Sequence, residues 1–170
     1  MENKRKNHAG IAFWEFEITL ARKMLDTLRT TVEFLYYLMD HRSKSPFSMI
    51  LITSDKLQSM HELQMMKRGT DLLFELDKEH GTYVFICQAT DKEGGEQYAD
   101  ILLAGIRAHR GINDSYCVLS TFDSTQYSIQ DVIFRMVETY IHARKIGRSG
   151  EVIISCFDEN ESEESLLAVT

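Results

Sequence analysis

DLLFELDKEHGTYVFICQ, residues 71–88, is the stretch on which the fold turns. Asp71 to Leu76 and Thr82 to Gln88 are short runs rich in apolar, aromatic and β-branched residues, and the polar DKEHG between them, Asp77 to Gly81, has the composition of a turn. This pattern predicts two antiparallel strands joined as a hairpin. Upstream, Phe47 to Thr53 (FSMILIT) predicts a buried strand ending at Ser54-Asp55, and Lys56 to Lys67 a short helix. Downstream of the DKEGG stretch (Asp91 to Gly95), Tyr98, Ile101, Leu102, Gly105 and Ile106 recur at helical spacing, which predicts a helix to about His109. Ser115 to Phe122 is the next strand. Ser128, with Asp131 three residues on, is a variant capping box opening a helix to about Ile146, with Gly147 as its stop, and Glu151 to Cys156 is the last strand.

Before all of these lies a longer element. From Ala12 to His41 no Gly or Pro intervenes, and Leu20, Met24, Leu28, Val32, Leu35 and Met39 return every three or four residues. A helix of that length, near 45 Å at about 1.5 Å per residue, is longer than one small sheet can cover. Either its first half pairs with another chain, a protein partner or a second copy, or the whole helix is a lid on its own domain. Met1 to Gly10 is basic and polar without the apolar h-region of a signal peptide after it, so it reads as a loose arm and not as a secretion signal. The organisation expected is an arm over 1–11, a long helix over 12–43, a domain over 44–156 and an acidic tail over 157–170.

The middle of this order, β-α-β-β-α-β, is the split βαβ or ferredoxin-like pattern. The expected class is therefore α+β: a ferredoxin-like βαββαβ core with an added C-terminal helix and strand, preceded by a long N-terminal helix. Such a layout hosts many unrelated activities. Composition excludes several of them. The 170 residues are 44% hydrophobic and 26% charged, enough for an ordinary core. The net charge of −7 sits mostly in the tail: from Glu151 onward there are six acids and no Lys or Arg, and the remainder carries no basic stripe, which argues against a nucleic-acid polymer as partner. No apolar run approaches the roughly 18 residues of a membrane span. Cys87, Cys117 and Cys156, each within an apolar run read as a strand, are expected as buried free thiols, which suits a reducing cytoplasm. The six histidines show no metal-ligand spacing, and the P-loop, Rossmann and nucleophile-elbow patterns are missing from the sequence.

Three local stretches carry a family resemblance. Arg135 to Ser149 (RMVETYIHARKIGRS), Met49 to Met60 (MILITSDKLQSM) and Arg68-Gly69-Thr70-Asp71 before the second strand resemble, in that order, the closing helix, the first strand and turn, and the RxxD inhibitory motif of the GGDEF, or diguanylate cyclase, domain. The resemblance covers about residues 44–155. It also has departures. The metal-binding Asp of the first motif is Thr53, although Asp55 keeps the second acid position; the phosphate-side Lys is Gln58 and the guanine-contacting Asn is His61. Counting from Asp71 places the signature on Asp77-Lys78-Glu79-His80-Gly81, without the glycines that admit the nucleotide. A second alignment, on Gly94-Gly95-Glu96-Gln97-Tyr98, would instead make Tyr98 to Arg107 a strand.

Cyclisation of GTP needs cations held by carboxylates, which a threonine hydroxyl alone does not supply. The resemblance therefore implies a catalytically inactive domain, requiring no cofactor, that keeps the inhibitory site: a cyclic di-GMP receptor passing its signal to a partner, of the kind found in bacterial exopolysaccharide systems of biofilms such as Pel and cellulose. A guanidinium can bond guanine O6 and N7 as a fork, and a carboxylate accepts from its N1 and N2 hydrogens, so Arg68 and Asp71 are the candidate ligand-binding pair. Arg107, or Arg110 beside it, is the candidate third residue, although strict alignment puts Gly105 there. Arg144 and Arg148 stand where cations touch GTP phosphates in active cyclases; basic residues at a helix end also simply favour its negative pole. Two other readings remain: a ligand-free interaction or dimerisation scaffold, and, least supported by the residues, an active cyclase.

Overall fold

The computed structural model describes residues 2–42, 44–54, 60–110 and 114–157. Its elements are α1 (Glu2–His41), β1 (Phe47–Ser54), α2 (Met60–Met66), β2 (Leu72–Asp77), β3 (Thr82–Cys87), α3 (Lys92–Arg110), β4 (Ser115–Phe122), α4 (Ile129–Ile146) and β5 (Val152–Ile154). The five strands form one sheet in the order β2-β3-β1-β4-β5. The first four are antiparallel neighbours, which is the ferredoxin-like arrangement, and β5 adds in parallel on the outer side of β4. A parallel neighbour requires a crossover, and α4 provides it.

Both faces of the sheet are covered, which is why β1 and β3 are apolar almost throughout and buried at every position. Alternation along β1 divides the core in two. Met49 and Leu51 face α1 and α4, packing with Met24, Leu28, Val32, Ile133 and Met136. Ile50 and Ile52 face α2 and α3, packing with Leu63, Tyr98, Leu102 and Ile106.

The boundaries of α4 follow the local chemistry. Ser128 accepts from the Asp131 backbone N–H at 3.1 Å, and Gly147 closes the helix at φ 73°, a left-handed conformation that glycine adopts without a Cβ clash. Other boundaries differ from expectation. The helix expected from Ala12 begins at Glu2, so the residues expected as a loose arm are helical; apart from Gly10, nothing in that stretch opposes helix continuation. The described part of α2 starts at Met60, and the earlier residues of the expected helix, with Asp55 and Gln58, lie outside the described residues, as does most of the acidic tail.

Helix α3 starts at Lys92 and includes Gly94 and Gly95, which rules out the alternative alignment that made Tyr98 to Arg107 a strand. Gly95 serves packing: a Cβ there would come within 2.8 Å of Ser48 Oγ and 3.0 Å of Leu119 Cδ1. Two glycines at the start of a helix hide its beginning from any reading by propensity. The last strand is shorter than expected, and Cys156 follows it, half-buried, whereas Cys87 and Cys117 are buried as expected. Burial raises both buried thiols, Cys87 to about 12, so neither supplies a thiolate near neutrality.

Candidate functional site

The corner before β2 is built by side chains reaching it from three elements. Arg68 and Asp71 lie three apart in a tight turn closed by the Asp71 N–H donating to the Arg68 carbonyl at 3.1 Å. The Arg68 guanidinium meets the Asp71 carboxylate as a fork, Nε to Oδ2 at 2.7 Å and Nη2 to Oδ1 at 2.9 Å. Nη2 also donates to Thr90 Oγ1 at 2.8 Å, and the plane lies 4.9 Å from the centre of the Tyr98 ring. Tyr98 is fixed in turn by its hydroxyl donating to the Met66 carbonyl. Lys67 Nζ donates to the Asp71 carbonyl at 2.9 Å, and Gln88 Nε2 to that of Thr70 at 2.8 Å.

Exposure divides the pair. The Arg68 side chain is 45% exposed, the Asp71 side chain 0%. Asp71 is fully covered, and Thr90 and Tyr98, both distant in sequence, hold the guanidinium against it. The bond to Asp71 raises the Arg68 pKa further, and burial raises that of Tyr98, so both keep their ordinary charge throughout the physiological range.

Of the three expected ligand residues, the fold brings two together. Arg107 lies nine residues beyond Tyr98 on α3, roughly 13 Å along the axis, and donates to the Gly150 carbonyl at 3.2 Å in the loop before β5. It is thus at the other end of the helix from Arg68. Tyr98 and Thr90 are the partners that sequence reasoning missed. An aromatic at the head of the apolar stripe of α3 was the available signal for Tyr98; Thr90 had none.

The resemblance sets Thr53, the hairpin turn, His61, Arg144 and Arg148 at the cyclase centre. Thr53 is buried at the end of β1, between Thr82 on β3 and Tyr116 on β4. The hairpin turn is closed on itself. Asp77 Oδ1 accepts from the backbone N–H groups of Glu79 at 3.0 Å and His80 at 3.2 Å, and Oδ2 accepts from Lys23 Nζ of α1 at 3.2 Å and faces His80 Nδ1 at 2.9 Å. His61 is exposed on α2. Arg144 stacks 5.8 Å from the Tyr140 ring centre, and Arg148 pairs with Glu151 at 2.8 Å.

Burial alone would raise the Asp77 carboxyl, but the bonds from His80 and Lys23 outweigh it and hold it down at about 2. A carboxyl lowered on folding contributes stability that is present above its unfolded value near 3.9 and is lost as the pH falls toward about 2. Asp77→Asn should therefore flatten the acid limb of the stability curve between about pH 4 and 2, as measured by urea unfolding across that range.

With this geometry in view, the fold is that of the GGDEF-like cyclase domains. A similar solved structure is that of the active GGEEF domain of a diguanylate cyclase from Vibrio cholerae, with a TM-score of 0.56 at 13% identity, covering 73% of this chain and 92% of that one. Scans of family models and of curated proteins give no match. Among the described residues no helix is long and apolar enough to cross a membrane.

Proposed function

We propose that this chain is a catalytically silent GGDEF-like domain that acts as a cyclic di-GMP receptor through Arg68 and Asp71, signalling to a protein partner of the exopolysaccharide kind. The observation that supports the reading is the pairing at the head of β2. The two side chains that match the two hydrogen-bonding edges of guanine already stand together, with the guanidinium half exposed and stacked on an aromatic ring. A guanine inserted between them offers O6 and N7 to Arg68 and its N1 and N2 hydrogens to Asp71, so each group exchanges one charge-assisted partner for another. The ligand-free pair is then a closed form. Opening it costs about 1–3 kcal/mol, between the values for exposed and buried ion pairs, and weakens affinity accordingly.

The case for silence is Thr53 in place of the metal-binding Asp, and a self-bonded DKEHG turn without the glycines the resembled family uses to admit the nucleotide. Incubation with GTP and Mg²⁺ should yield no cyclic di-GMP above a no-protein control; clear turnover refutes this reading. Cyclic di-GMP itself should raise the melting temperature, and above its Kd the rise should grow with the logarithm of its concentration, as for any ligand of the native state.

The complete burial of the Asp71 side chain favours a second reading, in which the Arg68–Asp71 pair is a structural brace and the domain is a ligand-free scaffold. A melting temperature indifferent to cyclic di-GMP selects it.

A further inference from the structure

The two edges of the sheet are protected unequally. At one, β5 is only three residues long. At the other, β2 runs for six residues, and among the described residues its one strand neighbour is β3. From Leu72 to Leu76 it carries four bulky apolar side chains and a single charge, Glu75, with none of the Lys or Pro residues that keep the edge strands of monomers from pairing. Leu72 is 37% exposed. A bulge between Glu75 and Asp77 comes only at the end of the strand and leaves Leu72 to Glu75 regular. The helix beside this edge adds neutral surface. Lys23 of α1 reaches Asp77 at the end of β2, and Thr27, Thr30 and Phe34 follow it at helical spacing, all exposed, Phe34 at 58%. The charges of that stretch, Asp26, Arg29 and Glu33, fall outside this stripe. Phe34 stands at the end of the sheet where Leu72 lies, since Tyr36, two residues on, packs on Phe47 at the start of β1, and Leu72 shares a row with Ile86 and Met49.

We propose that β2 pairs with the β2 strand of a second copy of this chain, antiparallel about a two-fold axis at Phe74, so that two five-stranded sheets join into one. The side chains select both the occupant and the register. Leu72, Phe74 and Leu76 share the α1 side of the sheet, and Leu73 and Glu75 the α3 side. With Phe74 on the axis, Leu72 meets the partner's Leu76, Phe74 meets its own copy and Leu73 meets the partner's Glu75. Apolar side chains then face one another on the α1 side, and no charge within the paired stretch faces a like charge. Moving the axis to Leu73 sets Asp71 against Glu75, and moving it to Glu75 sets that acid against its own copy; like charges directly opposite are destabilising. Asp71 and Asp77, which flank the paired stretch, are already bonded to Arg68 and to Lys23. An isologous contact of this kind closes on itself, so it stops at a dimer.

The test uses the full chain without nucleotide, and so stands apart from the receptor reading. Light scattering should give a dimer. Hydrogen exchange should show the amides of residues 72–76 slowing as the protein concentration rises, because their outward N–H groups gain partners, while those of β5 stay unchanged. Leu72→Lys, at an exposed position that leaves the fold intact by circular dichroism, sets an ammonium against the partner's Leu76 and should weaken the dimer by roughly tenfold or more. A monomeric wild type, a dimer whose β2 amides exchange equally fast at every concentration, or a folded Leu72→Lys protein that dimerises as wild type does each overturns the proposal.

Discussion

Arg68→Ala is expected to lower stability by about 1–3 kcal/mol, and by more than Asp71→Ala does. The asymmetry comes from burial. Removing Asp71 leaves a guanidinium that is already 45% exposed and can be hydrated, whereas removing Arg68 strands a carboxylate whose side chain is fully covered. Water entering the vacated space limits the loss. For a chain of this size the larger value corresponds to a fall in Tm of roughly 6–12 °C. The double variant should lose less than the sum of the two singles, since one interaction is being removed twice. Chemical denaturation of the four proteins measures the coupling directly, and additive losses would mean that the fork contributes nothing.

Because Arg68→Ala disturbs the fold's own ion pair, Arg68→Lys is the cleaner probe of ligand reading. Lysine keeps a cation beside Asp71 but cannot present the planar fork to guanine O6 and N7. Cyclic di-GMP binding should weaken by about 1–3 kcal/mol per guanine read, roughly 5- to 150-fold, while the melting temperature stays closer to wild type than in Arg68→Ala. Arg107→Ala should leave binding unchanged, since that side chain donates to Gly150 at the far end of α3. A loss on Arg107→Ala equal to that on Arg68→Lys would place the ligand elsewhere.

The sequence was most legible where chemistry is local. The 71–88 hairpin, the strand Ser115–Phe122 and the α4 caps at Ser128 and Gly147 are read from turn composition, alternation and neighbouring hydrogen bonds, and the structure has them within one residue. The start of α3 was hidden by Gly94 and Gly95, of which Gly95 serves close approach to β1 and β4 and not conformational freedom. At the candidate site, the nearness of Arg68 and Asp71 follows from their spacing, but the direction in which they point does not. Tyr98 and Thr90, some twenty to thirty residues away, fold the guanidinium down over the carboxylate. For Arg107, a helical position alone could not tell which end of α3 borders the RxxD turn. Tyr98 bonding to the Met66 carbonyl settles that, and it is a contact made only in the folded chain.

The central claim, that a silent GGDEF-like domain reads cyclic di-GMP at the Arg68–Asp71 corner, is tested most directly by calorimetric titration of cyclic di-GMP into the wild-type protein and into Arg68→Lys side by side. The account predicts saturable binding to wild type that weakens by at least about fivefold in the variant. A flat titration of a folded wild-type protein, or identical isotherms for the two, would contradict it.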